Sequence, residues 1–485
     1  MVLKPACIYN ISETLTYKKP GQKIFTKDAT YPAQFATLKL VNKDITRIIY
    51  AGGIPDVMME HVVLDGRRYH LSIRSKQETG GKTQLSLAFF GGAGGDNQIV
   101  RECIFMNVRS WSTLKVHEGA SNVLIENNLI FGAGVDLRGN GRSLKESWPR
   151  YWGDGITFAA RDSIVRNNFI MEPTDVGIVL FGSPGTIAEN NVIASISRES
   201  LGGINLVDPI GHYKMNETET DYSGVKIRNN YIDALGARIH IGLPMGAPQW
   251  APKNHGQFLV GCEVTGNIIA GNAAGYGYVA HTIKNWKITG NLSTATYSGL
   301  AEFGDHPDPP DDPSAFIYDS NTVIDSELQS DFVPAKLHID HLLRTQFAPV
   351  DEHGYQMHDY GNAEVKAIVE TAYLEMLGRE VDPGGLKENV DRLLSKEMNA
   401  DGLRRILMAS TEFKIRYGYR PPEDLHTYRV QLWFNIYNAI IREDGKWLPA
   451  REMYTKALTA LHMDNRETLQ IDRVDESTLT VERLK

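Results

Sequence analysis

Cysteine is scarce in this chain: 485 residues contain three, Cys7, Cys103 and Cys262. Three thiols make no disulfide framework, so the fold must be held by its own core. No apolar run approaches the ~20 residues that cross a bilayer. Residues 1–10 also lack the basic start and apolar stretch of a secretory signal. Positive charge is in short supply as well. Lys and Arg total 51 against 59 Asp and Glu, a formal net charge of −8. That balance argues against nucleic acid or an anionic membrane as partner, and a polyanionic ligand would need a local basic cleft. The fixed leucine spacing of a leucine-rich repeat is missing. The acidic stretch 304–313, GDHPDPPDDP, offers Asp305, Asp308, Asp311 and Asp312 but neither the spacing nor the bidentate glutamate of an EF-hand loop. It reads as a solvated loop. No cofactor is called for, and calcium stays open only in the sense that no motif indicates it.

What the sequence does have is a repeat. Residues 162–182, DSIVRNNFIMEPTDVGIVLFG, contain one full unit. A strand at 163–165 meets an Asn-Asn corner, a second strand at 169–171 follows, and after a turn a third strand runs over 177–180. Each strand is short and rich in Ile, Val, Leu and Phe, the composition of a parallel strand covered on both faces. The corner asparagine recurs at Asn128, Asn168, Asn191, Asn230, Asn267, Asn291 and Asn321, with steps of 23 (168 to 191) and 24 (267 to 291) residues. The longer steps are one such coil plus an insertion. A period in the twenties with two or three short strands per repeat predicts a solenoid. The fold class expected is mainly β: a right-handed parallel β-helix solenoid followed by a small all-α C-terminal domain.

The asparagine has two jobs available at such a corner. It tolerates left-handed backbone geometry, and its amide can bond the equivalent Asn one coil away, about 4.8 Å distant. The bore is expected to hold Ile125, Ile164, Ile178, Leu180, Ile204 and Leu206. Cys103, in RECIFMN, stands where later coils carry the corner Asn, which makes it a small core residue and not a nucleophile.

These repeats, with Trp152-Gly153-Asp154-Gly155-Ile156, Asp175-Val176-Gly177-Ile178 and Gly202-Gly203-Ile204-Asn205, resemble the pectate-lyase-like superfamily of right-handed parallel β-helix proteins over about residues 40–330. The resemblance implies a polysaccharide or oligosaccharide partner. Its members include polysaccharide lyases, glycoside hydrolases, uronate epimerases, tailspikes and non-catalytic surface proteins, so fold alone does not choose among them. The Asp-Asp pair of the polygalacturonase-like hydrolases, the calcium cluster of the pectate lyases and the Asp-Pro-His of the epimerases are absent.

Beyond about residue 360 the apolar period changes from two to 3.6, predicting helices over 363–377, 385–395, 402–409 and 427–441. Leu377-Gly378-Arg379, Asp382-Pro383, Gly385-Leu386 and Ser410-Thr411-Glu412-Phe413 make this part similar to a helical family of unknown function, DUF4214, of secreted bacterial proteins. Asp382 suits a helix cap. The layout expected is an N-terminal cap over 1–40, the β-helix over 41–335, a linker over 336–360, the helical domain over 361–465 and a polar tail over 466–485. The resemblance implies a secreted or cell-surface protein, although no N-terminal signal is visible. Oligomeric state is not readable.

Chemistry is expected beside the third-strand stack. Asp154 and Asp175 stand at the start of that strand in adjacent coils, and Asp208 follows it in the next. His117 ends it earlier, and Arg138 approaches from an insertion. These five are the catalytic candidates. Asp136, Trp148, Tyr151, Trp152, His212, His240 and Trp250, most of them in insertions near 136–152, 208–222 and 243–258, are the substrate-binding candidates; no metal site is expected. For a hydrolase, Asp175 among Val176, Ile178 and Phe181 is the expected acid and Asp154, near arginines, the base or nucleophile. For a lyase, His117 or Tyr151 would take the proton. The expected function is cleavage or modification of an extracellular polysaccharide, as a glycoside hydrolase or polysaccharide lyase. The alternative is a glycan-binding, adhesin-like or structural solenoid.

Overall fold

A computed structural model describes residues 1–71, 86–109, 111–134, 153–250, 254, 256–299, 313–335, 361–417 and 425–462. In each coil the chain gives one short strand to each of three sheets. One coil consists of Ile164–Arg166, Phe169–Met171 and Val176–Leu180, and each of these pairs in parallel with its counterparts in the coils before and after. The three sheets contain 13, 10 and 11 strands. This is the right-handed parallel β-helix read from the repeats, with helices at its C-terminal end.

Strands stay short because the corners bend them. The residue that adopts the left-handed conformation is Asn127, Asn167, Asn190 or Asn229, with φ of 53–56°, and then Gly266 and Gly290. The next residue is the one that ladders. Asn191 donates its amide to Asn230 Oδ1 and Val165 O, both at 2.9 Å, and its Oδ1 accepts from Asn168 Nδ2 at 2.9 Å and Asn168 N–H at 3.0 Å. The same pattern runs from Asn128 through Asn168, Asn191, Asn230 and Asn267 to Asn291. The two jobs expected of one asparagine are thus divided between neighbours. Asn321 is not on the ladder; Gln329 closes it, 2.9 Å from the Asn291 N–H. At the other end the Cys103 N–H donates to Asn128 Oδ1, and the thiol is buried.

Ile125, Ile178, Leu180, Ile204 and Leu206 fill the bore as expected. Ile164 does not. The register pairs Ile125 with Val165, so Val165 points inward and Ile164 lies half-buried outside. In a strand of three residues a one-place shift exchanges the faces. Residues 1–40 are not a separate cap either: Val2–Leu3, Ile8–Ile11 and Leu15–Thr16 already supply one strand to each sheet. The last four residues of the expected 208–222 insertion likewise enter a strand, Glu219–Arg228. On the outside of the first sheet, Glu60, Arg101, Glu126, Arg166, Glu189 and Arg228 share one register row with strictly alternating charge. Arg101, Arg166 and Arg228 each bond the acid of the preceding coil at 2.7–2.9 Å.

The helices Asn362–Leu377, Pro383–Leu394, Ala400–Ala409 and Leu425–Asp444 fall where the period predicted them, and Thr411–Tyr417 and Ala450–Ala460 are added. Asp382 caps its helix, accepting from the Gly385 N–H at 2.9 Å. The helices pack on the outer face of the second sheet, where Phe131 and Phe169 meet Trp433, Tyr437 and Tyr454; the Phe169 and Tyr437 ring centres are 4.7 Å apart. Beside this apolar seam lies a buried ionic cluster. Arg429 reaches Glu172 of the solenoid at 2.8 Å and Glu375 at 2.6 Å, Arg404 bonds Glu375, and Arg198 bonds Glu172. Burial works to raise both carboxyls, but Arg429, with Arg198 at Glu172 and Arg404 at Glu375, outweighs it and holds them below the usual range. The expected linker 336–360 and tail 466–485 lie outside the described residues. Among the described residues no helix is long and apolar enough to cross a membrane.

Replacing Asn191 by Ala takes the acceptor from the buried Asn168 N–H and one bond each from Asn168 Nδ2, Asn230 Oδ1 and Val165 O. The expected loss is about 3 kcal/mol in urea unfolding, and a loss under about 1 kcal/mol would reduce the ladder to ordinary surface contacts. Arg429→Met strands two buried carboxylates against their remaining arginines. It should lower stability by about 3 kcal/mol or more and make the helices susceptible to limited proteolysis; unchanged protease resistance would show that the apolar seam suffices.

Candidate functional site

Four successive coils place Ser112–His117, Asp154–Phe158, Val176–Leu180 and Ser200–Asn205 side by side in the third sheet. Alternation sends Leu114, Ile156, Ile178 and Ile204 into the bore. The next residue in each strand forms an outer row: Lys115, Thr157, Val179 and Asn205. The glycines of the sequence signatures serve packing. A Cβ on Gly155, Gly177 or Gly203 would lie 2.5–2.7 Å from the isoleucine column Ile170, Ile193 and Ile232. Only glycine lets the third sheet lie this close to the second.

The outer row forms the floor of a groove of about 310 Å³. His117, Asp154, Asp175, His212 and Trp250 all line it, so the sheet brings together five of the residues singled out in the sequence. Lys115, Trp111 and Asn205 line it too and were not singled out. Alternation through LKVH carries the signal for Lys115, which stands two places before His117 on the same face. Asn205 and Trp111 announce themselves only through the register.

Asp154 is half-buried in the wall of the groove. Thr157 Oγ1 donates to its Oδ2 at 2.5 Å and also touches Ser112 Oγ at 2.7 Å. Burial pushes the Asp154 carboxyl up to about 7, against the opposing pull of Thr157, Lys115 and the Val176 N–H. Lys115 is lowered, first by burial and then by Arg47, while Asp154 and Glu118 work to raise it. Asp175 sits one coil on. Its N–H donates to Gly153 O at 3.2 Å and its carbonyl accepts from Leu201 and Gly202, so its backbone is fixed from both neighbouring coils.

Asp208 is not in the groove. Its fully buried carboxylate accepts from the N–H groups of Ile210, Gly211 and His212, and lies 3.1 Å from His212 Nδ1. It pins the loop that sets His212 against Phe181, with ring centres 5.0 Å apart, and Ile210 at the rim. His240 is buried against Glu199 and also lies apart from the groove. Asp136, Arg138, Trp148, Tyr151 and Trp152 lie outside the described residues, as does the acidic stretch 300–312. Among the described residues Glu60, His61 and Glu102 could bring three ligand atoms together. However, Arg101 bonds Glu60 at 2.7 Å and His61 bonds Glu102 at 2.5 Å, so these groups already satisfy one another.

No family model and no curated protein matches this chain. Solved structures do. An alginate lyase from a Paenibacillus species is 12% identical over 61% of this chain and 89% of its own, with a TM-score of 0.37. The A-module of an Azotobacter vinelandii mannuronan C-5 epimerase is 14% identical over 70% of this chain and 91% of its own, with a TM-score of 0.34. The tailspike of E. coli bacteriophage HK620, solved with a pentasaccharide, is 12% identical over 69% of this chain and 58% of its own, with a TM-score of 0.38. None is near enough to transfer a residue's role, and the chemistry rests on the groove itself.

Because Asp154 binds its proton more tightly folded than unfolded, the native state keeps a proton that the unfolded chain has released between pH 3.8 and about 7. Stability therefore falls as pH rises through that window, by up to about 4 kcal/mol, and levels off above it. Asp154→Asn removes this dependence. The variant should gain most over the native chain near pH 8 and little near pH 4 in urea titrations; a difference that does not change with pH would mean the carboxyl ionises freely.

Proposed function

We propose that the groove on the third sheet cleaves a polysaccharide laid along the solenoid, with Asp154 delivering a proton to the departing glycosidic oxygen. The observation that carries this is the pair of carboxyls, Asp154 and Asp175, that adjacent coils bring into one groove, the first pushed by burial up to about 7. Two carboxyl groups flanking one bond are the equipment of glycoside hydrolysis: the protonated one acts as acid, and the other activates water or attacks the sugar. Burial reverses the roles expected from the sequence. Arginines near Asp154 were to keep it ionised, but the described charge beside it is Lys115, which opposes burial without overcoming it. Asp154 is the acid, and Asp175 takes the role of base or nucleophile. Trp111, Phe181 and Trp250 provide flat apolar faces for sugar rings.

We place this activity outside the cell, on secreted or surface-attached protein. That setting rests on the resemblance read in the sequence of residues 371–413, which no family model matches; fractionation of the producing cell tests it.

A panel of neutral and acidic polysaccharides, read by reducing ends and by the ultraviolet absorbance of unsaturated products, tests the reaction. Turnover should fall as pH rises past about 7, where Asp154 loses its proton. Asp154→Asn and Asp175→Asn should each lower turnover by about two to four orders of magnitude with the fold intact. Unsaturated products would replace hydrolysis by elimination and move Lys115 or His117 into the role of base. Binding without turnover across the panel would make the solenoid a glycan-binding protein.

A further inference from the structure

The groove's charge points to a class of sugar. Lys115 stands on its floor and makes no hydrogen bond or ion pair among the described residues. The row on which it lies continues in the other direction through Phe89 and Tyr50, and the Arg47 guanidinium lies 4.9 and 5.3 Å from those two ring centres. Two cations therefore face the same stretch of the third sheet. The acids near them are Asp154, Glu118 and Asp175, and Asp154 is held largely protonated below neutrality, where it acts as a hydrogen-bond donor. Asp154 and Glu118 act on the half-buried Lys115 ammonium from a distance and neither bonds it, so the ammonium is open to an anion that a ligand brings.

Asn205 adds an independent observation. Its side chain is 1% exposed and lines the groove, yet its amide makes no hydrogen bond, and Oδ1 is buried without a partner. Oδ1 is turned toward Gly202, where a Cβ would lie 2.0 Å from it, which leaves the NH₂ end for the groove. Lys115 and Asn205 are three coils apart in one row, about 14 Å at 4.8 Å per coil. A ligand that satisfies both must be a chain of sugars running along the solenoid axis.

Resting on the reading of this groove as a polysaccharide site, we propose that it selects carboxylate-bearing sugar chains, with Lys115 pairing with the carboxylate and Asn205 bonding a sugar unit further along. A neutral chain offers hydroxyls to both groups but no carboxylate to pair with the ammonium, so the distinction between acidic and neutral chains falls on Lys115.

The test uses the full-length protein and calorimetric titration with oligosaccharides of polygalacturonate, alginate and hyaluronan, each beside its carboxyl-reduced, neutral counterpart of equal length. The acidic chains should bind at least about tenfold tighter, and the preference should shrink as salt is raised. Lys115→Met should abolish the preference, bringing acidic chains and their neutral counterparts to the same weak binding, and Lys115→Arg should keep much of it. Asn205→Ala should weaken both kinds of chain. Equal binding of acidic and reduced chains overturns the proposal and leaves the cleavage reading standing; so does an acidic preference that survives Lys115→Met. Failure of every chain to bind removes both. Should Lys115→Met fail to fold, the native protein's choice between acidic and reduced chains still decides the matter.

Discussion

From Asn128 to Asn291 the solenoid depends on one buried side-chain amide per coil. Wherever the chain turns from the first sheet into the second, the backbone loses the regular partners that a strand would give it. The asparagine ladder supplies them. Each amide donates to the next coil's asparagine and to a backbone carbonyl, and accepts from the coil before. An amide can join this chain only if the coils are stacked in one register, since a slip of one residue would bring an apolar side chain to the corner. The ladder therefore fixes more than stability. It fixes which residues of distant coils stand beside one another, and the groove is a consequence: Lys115, Thr157, Val179 and Asn205 come from four separate segments and share one row only because the corners are locked.

This explains what could be read in the sequence and what could not. The repeat, the parallel β-helix and four of the helices were legible because they rest on periods. The bore was legible where strands carry two inward residues, as at Ile178 and Leu180. It failed at Ile164, because a strand of three residues offers one inward place and Ile-Val gives no hint which residue takes it. Asp154 and Asp175 were legible as neighbours from their common place before the third strand. The raised Asp154 carboxyl was not, because a proton affinity depends on burial, and burial depends on packing across coils. Lys115 was missed for a related reason. It looks like any surface lysine until the register sets it beside a buried carboxyl. Asp208 shows the opposite error: an acid in a suggestive place whose lone pairs are spent on its own loop.

The helices cover the second sheet as tightly as a layer of its own core. The seam is aromatic, and the ions beside it are shared between the two parts, with Glu172 from a coil and Glu375 from a helix meeting at Arg429. Glu172 follows the second strand of the very coil whose third strand begins beside Asp175, so the face gripped by the helices and the face bearing the groove belong to the same rungs. The outer row of the first sheet, from Glu60 to Arg228, is charged and half-exposed.

That charged row sets a rule of arithmetic for the coil number. From Glu60 to Arg228 the sign alternates at every rung, so each residue is flanked by opposite charges. Losing or duplicating a single coil inside this stretch would put like charge on like charge one rung apart, a mismatch that no side-chain rotation relieves. Losing or duplicating two keeps the alternation intact. Beyond Arg228 the row continues through Thr265 and Thr289, which have no sign to preserve. Within the charged stretch the solenoid can change its length by even steps, and outside it, before Glu60 as after Arg228, it can change by one.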